Sequence, residues 1–176
     1  MSRKIGFLGP SGTFTEEALR TTDIEGAKLV PLPSIQEVIA AVERRDVNKG
    51  IVAIENSIEG SVNTTLDMLA FEANLLIGAE IVNSVSHNLI GIRGAKKDKA
   101  QTIISHPQAT AQCRGYLMRE TAGATIEAAN STAEAVKIVA ERGDKETMAI
   151  GTSLAAKIYG LSILQKKIQD FADNQT

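Results

Sequence analysis

Short apolar runs alternate with polar, glycine-bearing turns, and each turn opens onto a stripe of helical spacing. Residues 4–8 read as a first strand, followed by the loop 9–13 and a helix 16–21 that Thr13 or Thr15 can cap. Residues 28–32 read as a second strand, and Ser34 then caps a helix 35–45 whose stripe is Ile35, Val38, Ile39 and Val42. The run 51–54 is too short for a helix and predicts a buried parallel strand. It leads through Glu55, Asn56, Ser57, Gly60 and Ser61 into a helix 65–69, with Ser61 or Asn63 as cap and Gly60 supplying turn freedom. Strand and helix alternating in this way call for a parallel sheet with right-handed crossovers.

From Leu76 to Ile92 the pattern is long and extended, which predicts a crossing into a second lobe. There the construction repeats. A strand 102–104 precedes a helix from Pro107 to Glu120, a strand 125–129 precedes a helix 133–141, and a strand 148–150 precedes a helix 154–159 closed by Gly160. The extended stretch 161–168 returns the chain, and the tail 169–176 is polar. The expected architecture is α/β in two lobes with a central cleft: lobe one is residues 1–78 plus 167–176, and lobe two is residues 79–166.

Composition narrows the partners. Nineteen basic residues against 21 acidic ones, no tryptophan and 3% aromatic residues offer neither the charge nor the stacking surface of a nucleic-acid binder. The single cysteine, Cys113, excludes an internal disulfide and suits a reducing compartment. Residues 1–5 run straight into a strand with no long apolar segment behind them, so a cytoplasmic protein without signal peptide or membrane span is expected.

The polar turns carry the chemistry. In open α/β sheets ligands gather at the carboxyl ends of strands, where helix N-termini favour anions. Asn56, Ser57 and Ser61, then Ser105, and then Ser131 and Thr132 all fall at such positions, with Thr13 at the rim of the same cleft. Gln108 and Gln112 share a helix face, from which Gln112 can reach back to the helix mouth. Each group also suits a cap or a solvated turn. The loop 9–13 lacks the Lys-Ser/Thr of a nucleotide P-loop. His87, alone in a strand-like region, reads as structural, and Cys113 as a small buried residue. Neither histidine lies at metal-ligand spacing, so no metal is expected.

As a set, Gly-Pro-x-Gly-Thr-Phe at 9–14, Glu-Asn-Ser-x-x-Gly-Ser-Val at 55–62, Ser-His-Pro-Gln-Ala at 105–109 with Gln112-Cys113, and Asn-Ser-Thr-Ala-Glu-Ala at 130–135 resembles the prephenate dehydratase catalytic domain. Ala-Ile-Gly-Thr-x-x-Ala-Ala-x-x-Tyr-Gly-Leu at 149–161 and the stretch 170–176 fit the same pattern. The resemblance implies a fold like type II periplasmic binding proteins and cofactor-free conversion of prephenate to phenylpyruvate, water and carbon dioxide. It implies Thr176, Asn56 and Gln112 as catalytic groups, with Thr13, Ser57, Ser61, Ser105, Gln108, Ser131 and Thr132 binding substrate. It further implies a homo-oligomer (dimer or tetramer) and a phenylalanine-binding ACT domain in a longer parent. The family's Thr-Arg-Phe signature is met here by Thr176 alone, a terminal residue expected to fray. Arogenate dehydratase, or a non-catalytic small-anion binding module of the same fold, uses the same residue types.

Overall fold

In the computed structural model, which describes residues 3–176, the apolar runs become strands and the polar turns open helices. Met1 and Ser2, which begin the expected first lobe, lie outside the described residues. The chain divides into two compact units. One holds the residues up to Pro10, Phe14–Val85 and Asp173–Thr176, and the other holds Ser11–Thr13 and Ser86–Ala172.

In the first unit, β1 (Lys4–Leu8) lies between β2 (Lys28–Leu32) and β3 (Lys49–Ile51), all parallel. Ile5 and Phe7 pack with Leu19 of α1 (Phe14–Leu19). On α2 (Ile35–Glu43), Ser34 Oγ accepts from Glu37 N at 3.1 Å, and Val38, Ile39 and Ala41 are buried. A Cβ at Gly50 would stand 2.8 Å from Val38 Cγ1, so only glycine lets α2 lie this close to β3. The expected buried strand 51–54 ends early, and Ile54 is 42% exposed. β3 is an edge strand here, and the next carbonyls are taken elsewhere: Thr65 Oγ1 donates to Ala53 O (2.6 Å) and Val62 N to Ile54 O (2.8 Å). A small hairpin follows, β4 (Glu55–Asn56) against β5 (Gly60–Ser61), with Gly60 at φ +81°. Neither Ser61 nor Asn63 caps α3 (Asn63–Asp67); its N-cap is Val62, with no side-chain hydrogen bond.

The second unit is built on a five-stranded sheet. β6 (Asn88–Gly91), β7 (Thr102–Ser105), β8 (Thr125–Ala128), β9 (Thr147–Gly151) and β10 (Ser162–Gln165) lie in the order β10-β6-β9-β7-β8. β7, β8 and β9 are parallel, whereas β6 runs antiparallel to both its neighbours, so the sheet is mixed. Strand periodicity sorts its core into two faces. Leu89, Ile103, Met148 and Ile150 meet Cys113, Tyr116 and Leu117, while Ile90, Ile104 and Ala149 meet Val136, Val139, Ala155 and Ala156. The helix expected to run from Pro107 to Glu120 is two: α4 (Pro107–Gln112) and α5 (Arg114–Glu120), broken at Cys113 with φ −110°. α6 (Thr132–Arg142) and α7 (Ser153–Ile158) complete the unit.

The unit boundaries differ from the expected 78/79 and 166/167. The chain leaves the first unit at Val85/Ser86 and returns at Ala172/Asp173. The stretch before that return stays with the second unit because Ile168 N donates to His87 O (2.9 Å) and Asp170 N to Gln112 O (2.7 Å). Residues 11–13 also belong there. Thr152 Oγ1 donates to Gly12 O at 2.6 Å and Tyr159 Oη to Ser11 O at 3.1 Å. Gly12, at φ +98° with a virtual Cβ 2.8 Å from Ala155, is confined to glycine.

Candidate active site

The first unit brings the hairpin and the tail together. Asn56 Oδ1 accepts from Ile58 N (3.0 Å) and Glu59 N (3.1 Å), so the side-chain amide is pinned by its own turn. That leaves Nδ2 as the outward donor, and it donates to Thr176 Oγ1 at 2.7 Å. Thr176 is not frayed. Its N donates to Asn83 O (2.9 Å) and its O accepts from Asn83 N (2.8 Å), an antiparallel pairing continued by the Ser84–Gln175 bridge. Ser57 fixes the same tail: its N donates to Gln175 O (2.9 Å), its Oγ accepts from Gln175 N (2.8 Å), and Oγ also donates to Asn174 Oδ1 (3.2 Å). Ser57 is thus committed to holding the tail. Ser61 is exposed on β5, opposite Glu55.

A hydroxyl that accepts from Asn56 has one of its two lone pairs engaged and keeps its own O–H as a donor. Such chained hydrogen bonds polarise one another. Asn56 and Thr176 are thus joined by tertiary structure, 120 positions apart in sequence.

The second unit gathers its groups at one edge. Ser105 ends β7, Ser131 follows β8 and Thr152 follows β9, all at the carboxyl ends of the parallel strands. Thr13 joins that edge because the loop 11–13 is bonded to Thr152, and its side chain is buried. Ser105 is fully buried and its Oγ donates to Ile150 O at 3.0 Å, so its proton is spent on the sheet. Ser131 Oγ accepts from Glu134 N (3.0 Å), capping α6, while Glu134 Oε2 accepts from Asn130 N (2.7 Å), one residue before the cap. Thr132 is buried in the first turn of α6. Thr152 caps α7, accepting from Ala155 N at 2.9 Å.

The two glutamines part company. Gln108 is exposed on α4, whereas the Gln112 side chain turns to His87, with Oε1 3.0 Å from Nε2. Buried His87 has its pKa lowered by desolvation, opposed by the Gln112 hydrogen bond. Burial, helped by the Asp170 charge, pushes the Cys113 thiol up to about 12, which makes it a packing residue and no nucleophile at neutral pH. An open groove of about 690 Å³ runs beside α4, α5 and β8, lined by Pro107, Arg114, Leu117, Met118 and Ile126, and of the candidate residues it touches only Ser105.

Thr152, Asp170 and Asn174 escaped sequence reasoning. Asp170 caps α5 from 54 residues or more away: its Oδ2 accepts from Gly115 N at 2.8 Å and its Oδ1 from Tyr116 N at 3.3 Å. No local spacing signals that contact. Thr152 could have been found as the Thr before a helix closing three residues on, as Ser34 was.

The family model described as prephenate dehydratase matches residues 5–176. A prephenate dehydratase of Methanocaldococcus jannaschii is 41% identical over 179 residues, covering 100% of this chain and 63% of that relative. The solved prephenate dehydratase of Arthrobacter aurescens, in complex with L-Phe, superposes with a TM-score of 0.86 at 30% identity, covering 98% of this chain and 58% of that one. A structure described as GqqA, a novel type of quorum quenching acylase, aligns with a TM-score of 0.84 at 33% identity, over 98% of this chain and 61% of its own. The chain thus spans about three fifths of the length of these proteins. With a family model matching residues 5–176, this chain belongs to the prephenate dehydratase family.

Proposed function

We propose that this chain carries the catalytic machinery for converting prephenate to phenylpyruvate in phenylalanine biosynthesis. The observation that carries the reading is the Asn56 Nδ2–Thr176 Oγ1 hydrogen bond of 2.7 Å. In the reaction the bond from the ring to its carboxylate breaks, and carbon dioxide leaves. The released electron pair enters the ring and completes its aromaticity, and the ring hydroxyl departs with a proton as water. The enzyme's task is to stabilise the departing oxygen. Thr176 O–H, polarised by Asn56, supplies a positioned donor for it; threonine is a poor acid, so the contribution is electrostatic preorganisation. Thr13, Ser105, Gln108, Gln112, Ser131 and Thr132 are the proposed partners of the substrate carboxylates and keto group, with Ser57 and Ser61 completing the hairpin side. Ser105 Oγ would exchange its bond to Ile150 O for a substrate oxygen, whereas Ser131 Oγ accepts from Glu134 N and keeps its O–H to donate. A cytoplasmic homo-oligomer belongs to the same reading; no helix among the described residues is long and apolar enough to cross a membrane.

Incubating the chain with prephenate and with arogenate, and following phenylpyruvate and phenylalanine, tests the proposal. Phenylpyruvate from prephenate is expected. Phenylalanine from arogenate alone would reassign the substrate, and tight binding with no turnover of either would make the chain a binding module.

A further inference from the structure

We propose that the arm 75–82 pairs with the same arm of a second copy of this chain, antiparallel across a two-fold axis at Ala79. The pairing gives the homo-oligomer of the reading above a surface, and it rests on the arm alone, whatever the chain turns over.

The stretch 73–83 runs without turn or bend and joins no sheet. Residues 75–82 make no hydrogen bond to any described residue. Leu76 is 98% exposed, Ile77 70% and Val82 64%. An extended run with both its amides and its apolar side chains open is a template for another strand. Pro and Lys, which guard natural edges, are both missing from 75–82. One side of the arm's line is already taken. Asn83 exchanges both backbone hydrogen bonds with Thr176, and Val85 N donates to Asn174 O (2.9 Å), so the odd-numbered residues point their amides toward the tail. By strand alternation Leu76, Gly78, Glu80 and Val82 point theirs to the opposite side, where no described residue bonds to them.

The order of residues names the occupant. Counting outward from Ala79, Gly78 matches Glu80, Ile77 matches Ile81 and Leu76 matches Val82. A two-fold interface requires that where i faces j, j also faces i, and this run meets the condition with apolar opposite apolar. Its one charge, Glu80, falls opposite the partner's Gly78 and not opposite its twin. Leu76 with the partner's Val82 and Gly78 with the partner's Glu80, each occurring twice, form hydrogen-bonded pairs, about eight backbone bonds in all. Burying residues 76–82 of both copies removes on the order of 1,000 Å² from water, the floor for a specific interface.

Oligomeric state tests the proposal. In sedimentation velocity over a concentration series the wild-type chain should pass from monomer to dimer. Leu76→Lys combined with Val82→Lys should stay monomeric at unchanged Tm, since both side chains are exposed in the single chain. Under mild oxidation Ala79→Cys should form a linked dimer, because residues opposite each other in a non-hydrogen-bonded pair lie about 4.5 Å apart at Cα, within disulfide reach. The wild type is the control, since its Cys113 is buried. Leu76→Cys and Val82→Cys should each link poorly alone and efficiently when mixed. A wild type that is monomeric throughout would overturn the pairing and leave the arm to another partner, such as residues of a longer parent. A dimer that survives the two lysines, or Leu76→Cys linking to itself better than to Val82→Cys, would overturn it as well. Failure of the dehydratase reading looks different: the wild type would turn over neither substrate, and none of these readouts depends on turnover.

Discussion

At the residue scale the decisive pair is Asn56 and Thr176, joined at 2.7 Å. On the proposed reading Asn56 acts through Thr176, so their effects should not add. We expect Thr176→Val to lower kcat by about 10²–10³-fold, the size of losing one preorganised donor. Asn56→Ala should cost less, and the double variant should resemble Thr176→Val alone; multiplicative losses in a double-mutant cycle would show that the two act independently. Asn56→Ala also frees the amides of Ile58 and Glu59, so a stability loss of about 1 kcal/mol is expected in denaturant melts. Cys113 yields a pH prediction. Burial, with the Asp170 charge, raises its thiol to about 12, well above the unfolded value of about 8.5. The folded state therefore binds this proton more tightly than the unfolded state. Its stabilising share is complete below the unfolded pKa and is lost as pH rises from there through the folded pKa. Stability measured against alkaline pH should fall less steeply in Cys113→Ala than in the wild type.

At the element scale, helix beginnings that look alike in sequence serve different ends. Ser34 and Ser131 accept from the third residue of α2 and α6; local spacing foretold the first, whereas Ser131 was expected as a substrate-binding group. Ser131→Ala should lower stability by about 1 kcal/mol, read as a shift in Tm, whatever it does to activity. α5 is different, because its cap is Asp170, supplied from far along the chain. We expect Asp170→Ala to cost about 1–2 kcal/mol and to raise hydrogen exchange across Arg114–Glu120, since an unmade charged cap leaves two amides without their carboxylate. Protection unchanged in that helix would refute the cap's role. Elements also meet where only glycine fits: a Cβ at Gly151 would stand 2.5 Å from Val136 Cγ2, so α6 rests directly on β9.

At the scale of the whole molecule the chain passes between its units at four points, because residues 11–13 are tied to the second unit by Thr152 and Tyr159. Two crossings were expected. The chain spans about three fifths of its relatives, and we propose that phenylalanine recognition belongs to an ACT domain of a longer parent. In a thermal-shift titration this 176-residue chain should show no stabilisation by phenylalanine up to about 1 mM, the upper end of ordinary metabolite affinities. A dose-dependent rise in Tm would place an effector site within these two units.

By itself the sequence determined the alternation of strands and helices, the two-lobed α/β plan and the polar turns at strand ends, because periodicity and capping act over three or four residues. It also placed Ser34 as a cap and gave Gly60 its turn. Only the tertiary structure decided where β3 stops, since an edge strand's last carbonyls are free to be claimed by Thr65 and Val62. Only it could turn Gln112 away from Gln108 toward His87, break the helix at Cys113 around Asp170, and bind Thr176 firmly to Asn56 and Asn83. Those contacts join residues 25 to 120 positions apart. A hydrogen bond depends on separation in space, and local patterns along the chain carry no record of it.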